Sequence, residues 1–218
     1  MRLFQRVGAN DGRSPPRGVL LVMDGEWTLL AAAEDAMSAG APGAVRRLLA
    51  EAAAECLAGG GGPAGWPSRL ADRLGERLRR KAAGEPAWVF FAAVAVSAAE
   101  VHACTAGDLR VHLVEDGRLT RWTRDHVLAN ESPEWVRRTY GGVDVQHHRT
   151  MATRALGQSG LPPEPVTWLA AGSARSVLVC SSDLHRHRAP ESCAAELFAA
   201  AAAPGAPEDT GLLVRMDR

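Results

Sequence analysis

The sequence predicts an α+β fold in one domain, residues 1–218, with largely antiparallel sheets. Three observations support this prediction. Strand-like and helix-like segments are grouped along the chain instead of alternating. Short apolar runs near the middle are separated by tight turns, which join antiparallel strands. The chain of 218 residues is also long enough to bury one substantial core.

The N-terminal half is predicted to contain one strand followed by helices. Residues 18–24 form a near-continuous apolar run that ends on Asp24-Gly25, which indicates a buried strand and a turn. Apolar residues then recur at helical spacing in three stretches, with a Gly-rich link at 59–62 and Ser68 as the expected cap of the last one. The three predicted helices are 27–39, 43–57 and 68–83.

The next part of the chain is predicted to form an antiparallel meander of strands at 88–96, 100–107, 109–116 and 118–123. Residues 124–150 are predicted to form a long polar loop, of a kind that is usually functional. This loop carries Trp135 and Tyr140, which we expect to be exposed and to contact a protein partner. A hairpin of strands 165–170 and 176–182, a helix at 191–203 and a strand at 210–216 complete the prediction.

Composition excludes several classes of function. Lys plus Arg and Asp plus Glu each number 25, so the formal net charge is zero, unlike that of a dedicated nucleic-acid or anionic-membrane binder. No apolar run is long enough to cross a bilayer or to follow Met1 as a secretory signal. The four cysteines are scattered, as is typical of buried thiols in a reducing compartment. We therefore predict a cytoplasmic protein with neither nucleic-acid nor membrane partners.

Five short motifs, in order along the chain, resemble those of the metal-dependent protein phosphatase 2C (PPM) family. Thr153-Arg154-Ala155-Leu156-Gly157 matches a family landmark in full. The other four are VMDG (22–25), TAGDLRVHLVEDGRLTRWTRDH (105–126), VLVCSSDL (177–184) and EDTGLLVRM (208–216). Because the motifs cover most of the chain in the right order, the resemblance is specific. It implies two packed antiparallel sheets with helices on both outer faces.

The resemblance also implies hydrolysis of phosphoserine or phosphothreonine in a phosphoprotein, by a water activated by two Mn²⁺ or Mg²⁺ ions. Such hard ions require oxygen ligands, and a pair of them offsets charge on the phosphoryl group. By the family pattern Asp24 is catalytic and bridges both ions, and Arg6 is catalytic through binding the phosphate. The implied metal ligands are Asp24, the Gly25 carbonyl, Asp108, Asp183 and Glu208.

Departures from the family pattern leave alternatives open. Glu26 and Trp27 follow Gly25 where the family has glycine. In an ungapped match, Ser182 occupies the position of a metal-binding aspartate. Asp183 occupies that position only if the match is shifted by one residue, and such a shift moves a strand side chain to the opposite face of the sheet. One hypothesis is therefore a working phosphatase. The alternative is a catalytically impaired pseudophosphatase that binds a protein.

Two further interpretations come from individual residue types. Arg154 either contacts substrate or braces a strand end through a salt bridge. His102 and His112 are predicted on strands of one meander, where two histidines can face each other as metal ligands, but no third ligand of the kind zinc requires lies nearby in the sequence. We interpret them as packed or solvated histidines.

Overall fold

A computed structural model describes residues 2–6, 17–37, 44–81, 87–115, 118–158, 161–169, 175–180 and 211–216. Within these ranges, three α-helices are α1 (Ala44–Ala58), α2 (Trp66–Lys81) and α3 (Pro133–Tyr140). The strands are β1 (Arg2–Arg6), β2 (Arg17–Asp24), β3 (Trp27–Met37), β4 (Trp88–Val96), β5 (Glu100–Ala106), β6 (Arg110–Glu115), β7 (Arg118–Trp122), β8 (Glu164–Leu169), β9 (Arg175–Cys180) and β10 (Gly211–Met216). The helix predicted at 191–203 lies outside the described residues.

The strands form two five-stranded antiparallel sheets, which confirms the predicted α+β class. Sheet I has the order β2-β3-β4-β5-β8, and sheet II has the order β1-β10-β9-β6-β7. The predicted meander is wrong in its pairing, because β4 and β5 belong to sheet I whereas β6 and β7 belong to sheet II. The predicted hairpin of the later strands is also wrong, since β8 pairs with β5 and β9 pairs with β6 and β10.

The helix predicted at 27–39 is instead the strand β3, which continues from β2 through a two-residue turn. Asp24 pairs with Trp27, and Gly25 takes a positive φ of 56° that suits a tight hairpin turn. Alternate β3 residues enter two different cores, with Leu29 on one face and Leu30 on the other. A strand buried on both faces is apolar throughout, so its sequence lacks the alternation that distinguishes a strand from a helix.

Two apolar cores lie on the two faces of sheet I. Helices α1 and α2, both predicted, pack on its outer face, where Leu49, Leu74 and Phe91 are buried. The inner face packs against sheet II through side chains that include Val94 and Val179. Sheet I is therefore the central layer of the three described layers. Ser68 does not cap α2, because the helix begins at Trp66, directly after a short 3₁₀ turn.

Two segments that were not predicted to be helix or strand have regular structure, β1 and α3. The N-terminal strand β1 was not predicted, since RLFQR is too short and polar to show a strand pattern, yet it pairs with β10. The predicted loop at 124–150 contains α3, whose cap is Ser132. Trp135 and Tyr140 are half-buried instead of exposed, and their rings meet edge-on at 5.6 Å.

Two sequence-based expectations concern cysteines and membrane spans. Cys56, Cys104 and Cys180 are buried, as predicted. Burial raises the pKa of Cys104 to about 12, so its reactive thiolate form is suppressed. Among the described residues, no helix combines the length and apolar character needed to span a bilayer.

Candidate active site

Asp108 lies in the short connection that leads from sheet I to sheet II. It follows the last residue of β5, Ala106, which pairs with Phe91 near the start of β4. Phe91 in turn pairs with Ala33 near the end of β3. Asp108 is only 4% exposed. We call this end of the two sheets, where β3 and β5 end and β4 and β6 begin, the Asp108 edge.

Asp24 and Gly25 lie at the opposite end of sheet I. The hairpin turn they form adjoins Thr28, which pairs with Val96, and Val96 pairs with Val101 at the start of β5. The length of β5, at about 3.3 Å per residue, therefore separates Asp24 from Asp108 by about 20 Å. The structure thus corrects the prediction that Asp24 and Gly25 share a metal site with Asp108, because Asp24-Gly25 is a hairpin turn at the other sheet end.

Glu34 and Asp35, near the end of β3, occupy the Asp108 edge instead. Glu34 pairs with Phe90 and Asp35 with Val89. Glu34 is 6% exposed and Asp35 is half-buried. Sequence reasoning missed them because it placed them on a helix. The available signal was two carboxylates after an apolar run and just before α1.

Sheet II brings further predicted residues toward the same edge. Cys180, the last residue of β9, pairs with both Arg110 and Gly211. Gly211 also pairs with Arg6, so the backbone of Arg6 reaches this edge. Asp183 follows Cys180 in the sequence and Glu208 precedes Gly211, but both lie outside the described residues, as does Ser182. The described ends of β1, β9 and β10 therefore lie at the Asp108 edge.

Hydrogen bonds hold the connection around Asp108 in place. Arg110 donates two hydrogen bonds to the carboxylate of Asp125, at 2.5 and 2.6 Å. The backbone N–H of His126 donates to the carbonyl of Gly107 at 2.8 Å. Thr123 and Val111 exchange two further hydrogen bonds, each at 3.0 Å. The segment 123–126 thus fixes the backbone on both sides of Asp108.

A partly buried charge network lies beside this connection. Arg154 contacts Glu164 at 3.3 Å and Glu131 at 3.8 Å, and it donates to the Pro162 carbonyl at 3.2 Å. Thr153 donates to Glu131 at 2.7 Å. This arrangement supports the bracing role for Arg154, because its guanidinium joins three separate segments of the chain.

His126 belongs to the same network and is almost fully buried. Its Nε2 lies 3.0 Å from Glu164 Oε2. Burial, together with the positive charge of Arg154, lowers the pKa of His126, and Glu164 and Glu131 oppose the shift. The imidazole is therefore neutral at pH 7 and donates its Nε2–H to the Glu164 carboxylate.

The chemistry of the acidic residues at the Asp108 edge fits Mn²⁺ or Mg²⁺, since all of them offer carboxylate oxygens. Within the described ranges, however, no group of three or more His, Cys, Asp or Glu side chains is arranged to hold a metal ion. His102 and His112 lie in different sheets, and His102 contacts Glu100 and Thr167 instead.

Solved structures of bacterial phosphatases share this architecture. The S. agalactiae serine/threonine phosphatase matches with a TM-score of 0.72 at 13% identity, over 99% of this chain and 98% of that one. The catalytic domain of the serine/threonine phosphatase PstP in complex with two manganese ions matches at 0.63 and 18%, over 98% and 96%. PppA, from the type VI secretion system (T6SS) of Pseudomonas aeruginosa, matches at 0.63 and 18%, over 98% and 95%.

The similarity is one of structure. No protein-family model matches the sequence, and no curated protein matches it. A PPM Ser-Thr phosphatase from Mycobacterium smegmatis also matches, with a TM-score of 0.61 at 18% identity over 100% of this chain and 97% of that one. The two antiparallel sheets with flanking helices therefore have the fold of the PPM-type serine/threonine phosphatases, as the sequence motifs predicted.

Proposed function

We propose that this protein is a metal-dependent phosphatase that hydrolyses phosphoserine or phosphothreonine in a phosphoprotein. The observation that carries the proposal is the placement of Glu34, Asp35 and Asp108 at one sheet edge. The ends of β9 and β10 that adjoin Asp183 and Glu208 in the sequence lie at this same edge. Acidic residues from two separate stretches of the described chain thus lie at the Asp108 edge. Asp183 and Glu208 are each three residues in sequence from a strand residue at that edge.

Glu34 and Asp35 take the role that the resemblance assigned to Asp24. In the family the Asp-Gly motif ends a strand and is followed by a helix. Here the strand that leads into α1 is β3, which carries Glu34 and Asp35 near its end. Because successive residues of a strand leave opposite faces, Glu34 lies on the face of sheet I toward sheet II, like Leu30, and Asp35 on the face toward the helices, like Leu29.

The remaining residues supply positioning and charge. Mn²⁺ or Mg²⁺, when bound, would activate the attacking water and offset charge on the phosphoryl oxygens. Arg6 would bind the phosphate, since a guanidinium matches two phosphate oxygens at once. The Arg110–Asp125 pair keeps the connection that carries Asp108 in its position. Glu131, Arg154 and Glu164 brace the neighbouring segments.

Three variants test this assignment with opposite expectations. Asp108→Asn and Glu34→Gln should each lower Mn²⁺-dependent hydrolysis of a phosphopeptide and of an aryl phosphate by about 10- to 100-fold or more. Asp24→Asn should leave the rate close to that of the unmodified protein, because Asp24 lies at the far end of sheet I. Circular dichroism should show that all three variants are folded.

The result that would overturn the assignment is also specific. If Asp24→Asn abolished hydrolysis while Glu34→Gln and Asp108→Asn retained it, the acidic residues of the Asp108 edge would not be the ligands. Titration calorimetry with millimolar Mn²⁺ gives a second readout, since the same two variants should weaken metal binding independently of catalysis.

The alternative function is a pseudophosphatase that binds a phosphoprotein or another protein. The replacement of a family aspartate by Ser182, in an ungapped match, favours it. The segment 124–150 would then contact the partner through α3, where Trp135 and Tyr140 are half-buried. Calorimetry that detects no binding of millimolar Mn²⁺ or Mg²⁺ by the folded protein would support this alternative over the enzyme.

A further inference from the structure

A cleft of about 460 Å³ lies between α2 and residues 155–158 and 161–163. Its floor is formed by small residues of the helix, Ala71 and Gly75, and its far side by apolar residues that include Leu156 and Leu161. A cleft of this size falls within the range of ordinary ligand pockets. Nothing in the proposed hydrolysis requires it.

The cleft adjoins the candidate active site. Leu156, on its far side, exchanges two backbone hydrogen bonds with Val89, at 2.9 and 3.1 Å. Val89 is in turn the β4 partner of Asp35. Paired backbone segments lie about 5 Å apart, so Leu156 is about 5 Å from Val89, and Val89 is about 5 Å from Asp35. Leu156 therefore lies about 10 Å from Asp35. A peptide chain that reaches the Asp108 edge can continue into the cleft.

Close packing fixes the end of the cleft nearest this edge. Gly157 has a φ of 91°, and an added Cβ atom would lie 2.3 Å from the Ala87 carbonyl oxygen and 3.0 Å from Leu78 Cβ. Gly157 therefore lies directly between the end of α2 and the start of β4. This contact places the Arg79 end of the cleft toward the Asp108 edge, and the Asp72 end away from it.

The two ends of the cleft carry opposite charges. Asp72 and Arg79 are both exposed and lie about two helical turns apart on α2, which separates them by about 10 Å along the helix. In the described part of the chain neither side chain makes an ion pair. Glu76, between them, contacts Arg73 at 3.6 Å and Arg80 at 2.5 Å. The cleft thus presents a carboxylate at one end and a guanidinium at the other.

We propose that the cleft binds an extended peptide segment of the phosphoprotein substrate, with a basic side chain at Asp72 and an acidic side chain at Arg79. The spacing of about 10 Å corresponds to about three residues of an extended chain in the polyproline II conformation, whose three residues per turn bring both side chains to the same side of the peptide. The apolar far side and the small-residue floor accommodate the residues between them. This proposal rests on the proposed function, because it assigns the segment to the substrate of the same active site.

Binding of unphosphorylated peptides tests the cleft without requiring catalysis. A set of fluorescein-labelled, alanine-based peptides would carry one Arg and one Glu at spacings of one to five residues, in both orders. Fluorescence anisotropy with the full chain should find the tightest binding at a spacing of three. Asp72→Asn and Arg79→Gln should each weaken binding of that peptide by about threefold to fivefold.

Matched controls and a charge exchange make the result specific. Arg47→Gln on α1 and Glu26→Gln in the turn between β2 and β3 alter exposed charges outside the cleft and should leave peptide affinity unchanged. Asp72→Arg should weaken binding of the Arg-containing peptide, and replacing its Arg with Glu should restore the affinity. If no peptide in the set binds, or if Asp72 and Arg79 variants bind as tightly as the unmodified protein, the docking proposal is overturned.

Hydrolysis of the matching phosphopeptides separates this proposal from the proposed function. In an active enzyme, Asp72→Asn and Arg79→Gln should raise KM about threefold to fivefold with little change in kcat. Hydrolysis that is insensitive to both variants would retain the phosphatase and reject the docking cleft. Charge-dependent peptide binding without any hydrolysis would retain the cleft and reject the phosphatase.

Discussion

At the scale of single residues, His126 shows how burial and a neighbouring cation decide a protonation state. The imidazole contacts Glu164, yet its pKa is lowered, because burial and Arg154 together outweigh the attraction of the carboxylates. The backbone N–H of His126 also donates a hydrogen bond to the carbonyl of Gly107, the residue before Asp108. Protonation of His126 would place an additional charge inside the network that braces the candidate active site.

This predicts a pH dependence of stability. An unfolded histidine has a pKa of about 6.5, so below that pH the unfolded chain binds a proton that the folded chain does not. Stability should therefore fall as the pH is lowered from about 6.5 toward the folded pKa, by at most about 1.4 kcal/mol per pH unit. Urea denaturation at pH 7, 6 and 5 measures this change in the free energy of unfolding.

The variant His126→Gln supplies the comparison, since glutamine can still donate to Glu164 but does not titrate. The loss of stability between pH 6.5 and 5 should be smaller in this variant. His102→Gln, which alters a histidine contacting Glu100 in another part of sheet I, should show the full loss. Equal losses in the unmodified protein and His126→Gln would contradict the assignment.

At the scale of elements, α3 is a short helix that depends on its ends. The Ser132 side chain accepts a hydrogen bond from the Trp135 N–H at 3.2 Å, and Pro133 occupies the first turn. Gly141 ends the helix with a φ of 65°. A helix of eight residues is too short to be stable by propensity alone, so these caps and the burial of Val136 matter.

Ser132→Ala should therefore destabilise α3 by about 1 kcal/mol, through loss of the cap. Hydrogen exchange of the α3 amides should accelerate, while the exchange of β4 amides should not change. Thr139→Ala, at an exposed position of the same helix, removes a hydroxyl without removing a cap and should not accelerate exchange. Unchanged exchange in Ser132→Ala would show that packing, and not capping, holds the helix.

At the scale of the whole molecule, sheet I couples the two cores. Phe91 of β4 enters the core under the helices, and Val94 of the same strand enters the core between the sheets. Neither core can lose its packing without disturbing this shared strand. The cores should therefore unfold together, as is usual for domains of this kind.

Leu74→Ala in the helix core and Leu30→Ala in the inter-sheet core test this coupling. Both leucines are 0% exposed, and each change should cost about 2–5 kcal/mol. Far-UV circular dichroism and tryptophan fluorescence should report one coincident urea transition in both variants. Two separated transitions in either variant would show that the cores unfold independently.

Much of the fold was predictable from local patterns. β2 is a continuous apolar run, α1 and α2 have amphipathic periodicity, and the four strands between 88 and 123 are bounded by turn residues. The motifs around Asp108 and Arg154 indicated the phosphatase fold. The sequence by itself thus determined most of the elements, their order and the oxygen-donor chemistry of the candidate ligands.

Only the tertiary structure decided which sheet each strand joins and which end of a sheet each acidic residue occupies. β3 is buried on both faces, so its residues carry no alternation, and Glu34 and Asp35 were hidden in an apparent helix. Asp24 matched a motif but lies in a hairpin turn at the far end. Strand pairing depends on contacts between distant segments, which local sequence patterns do not encode.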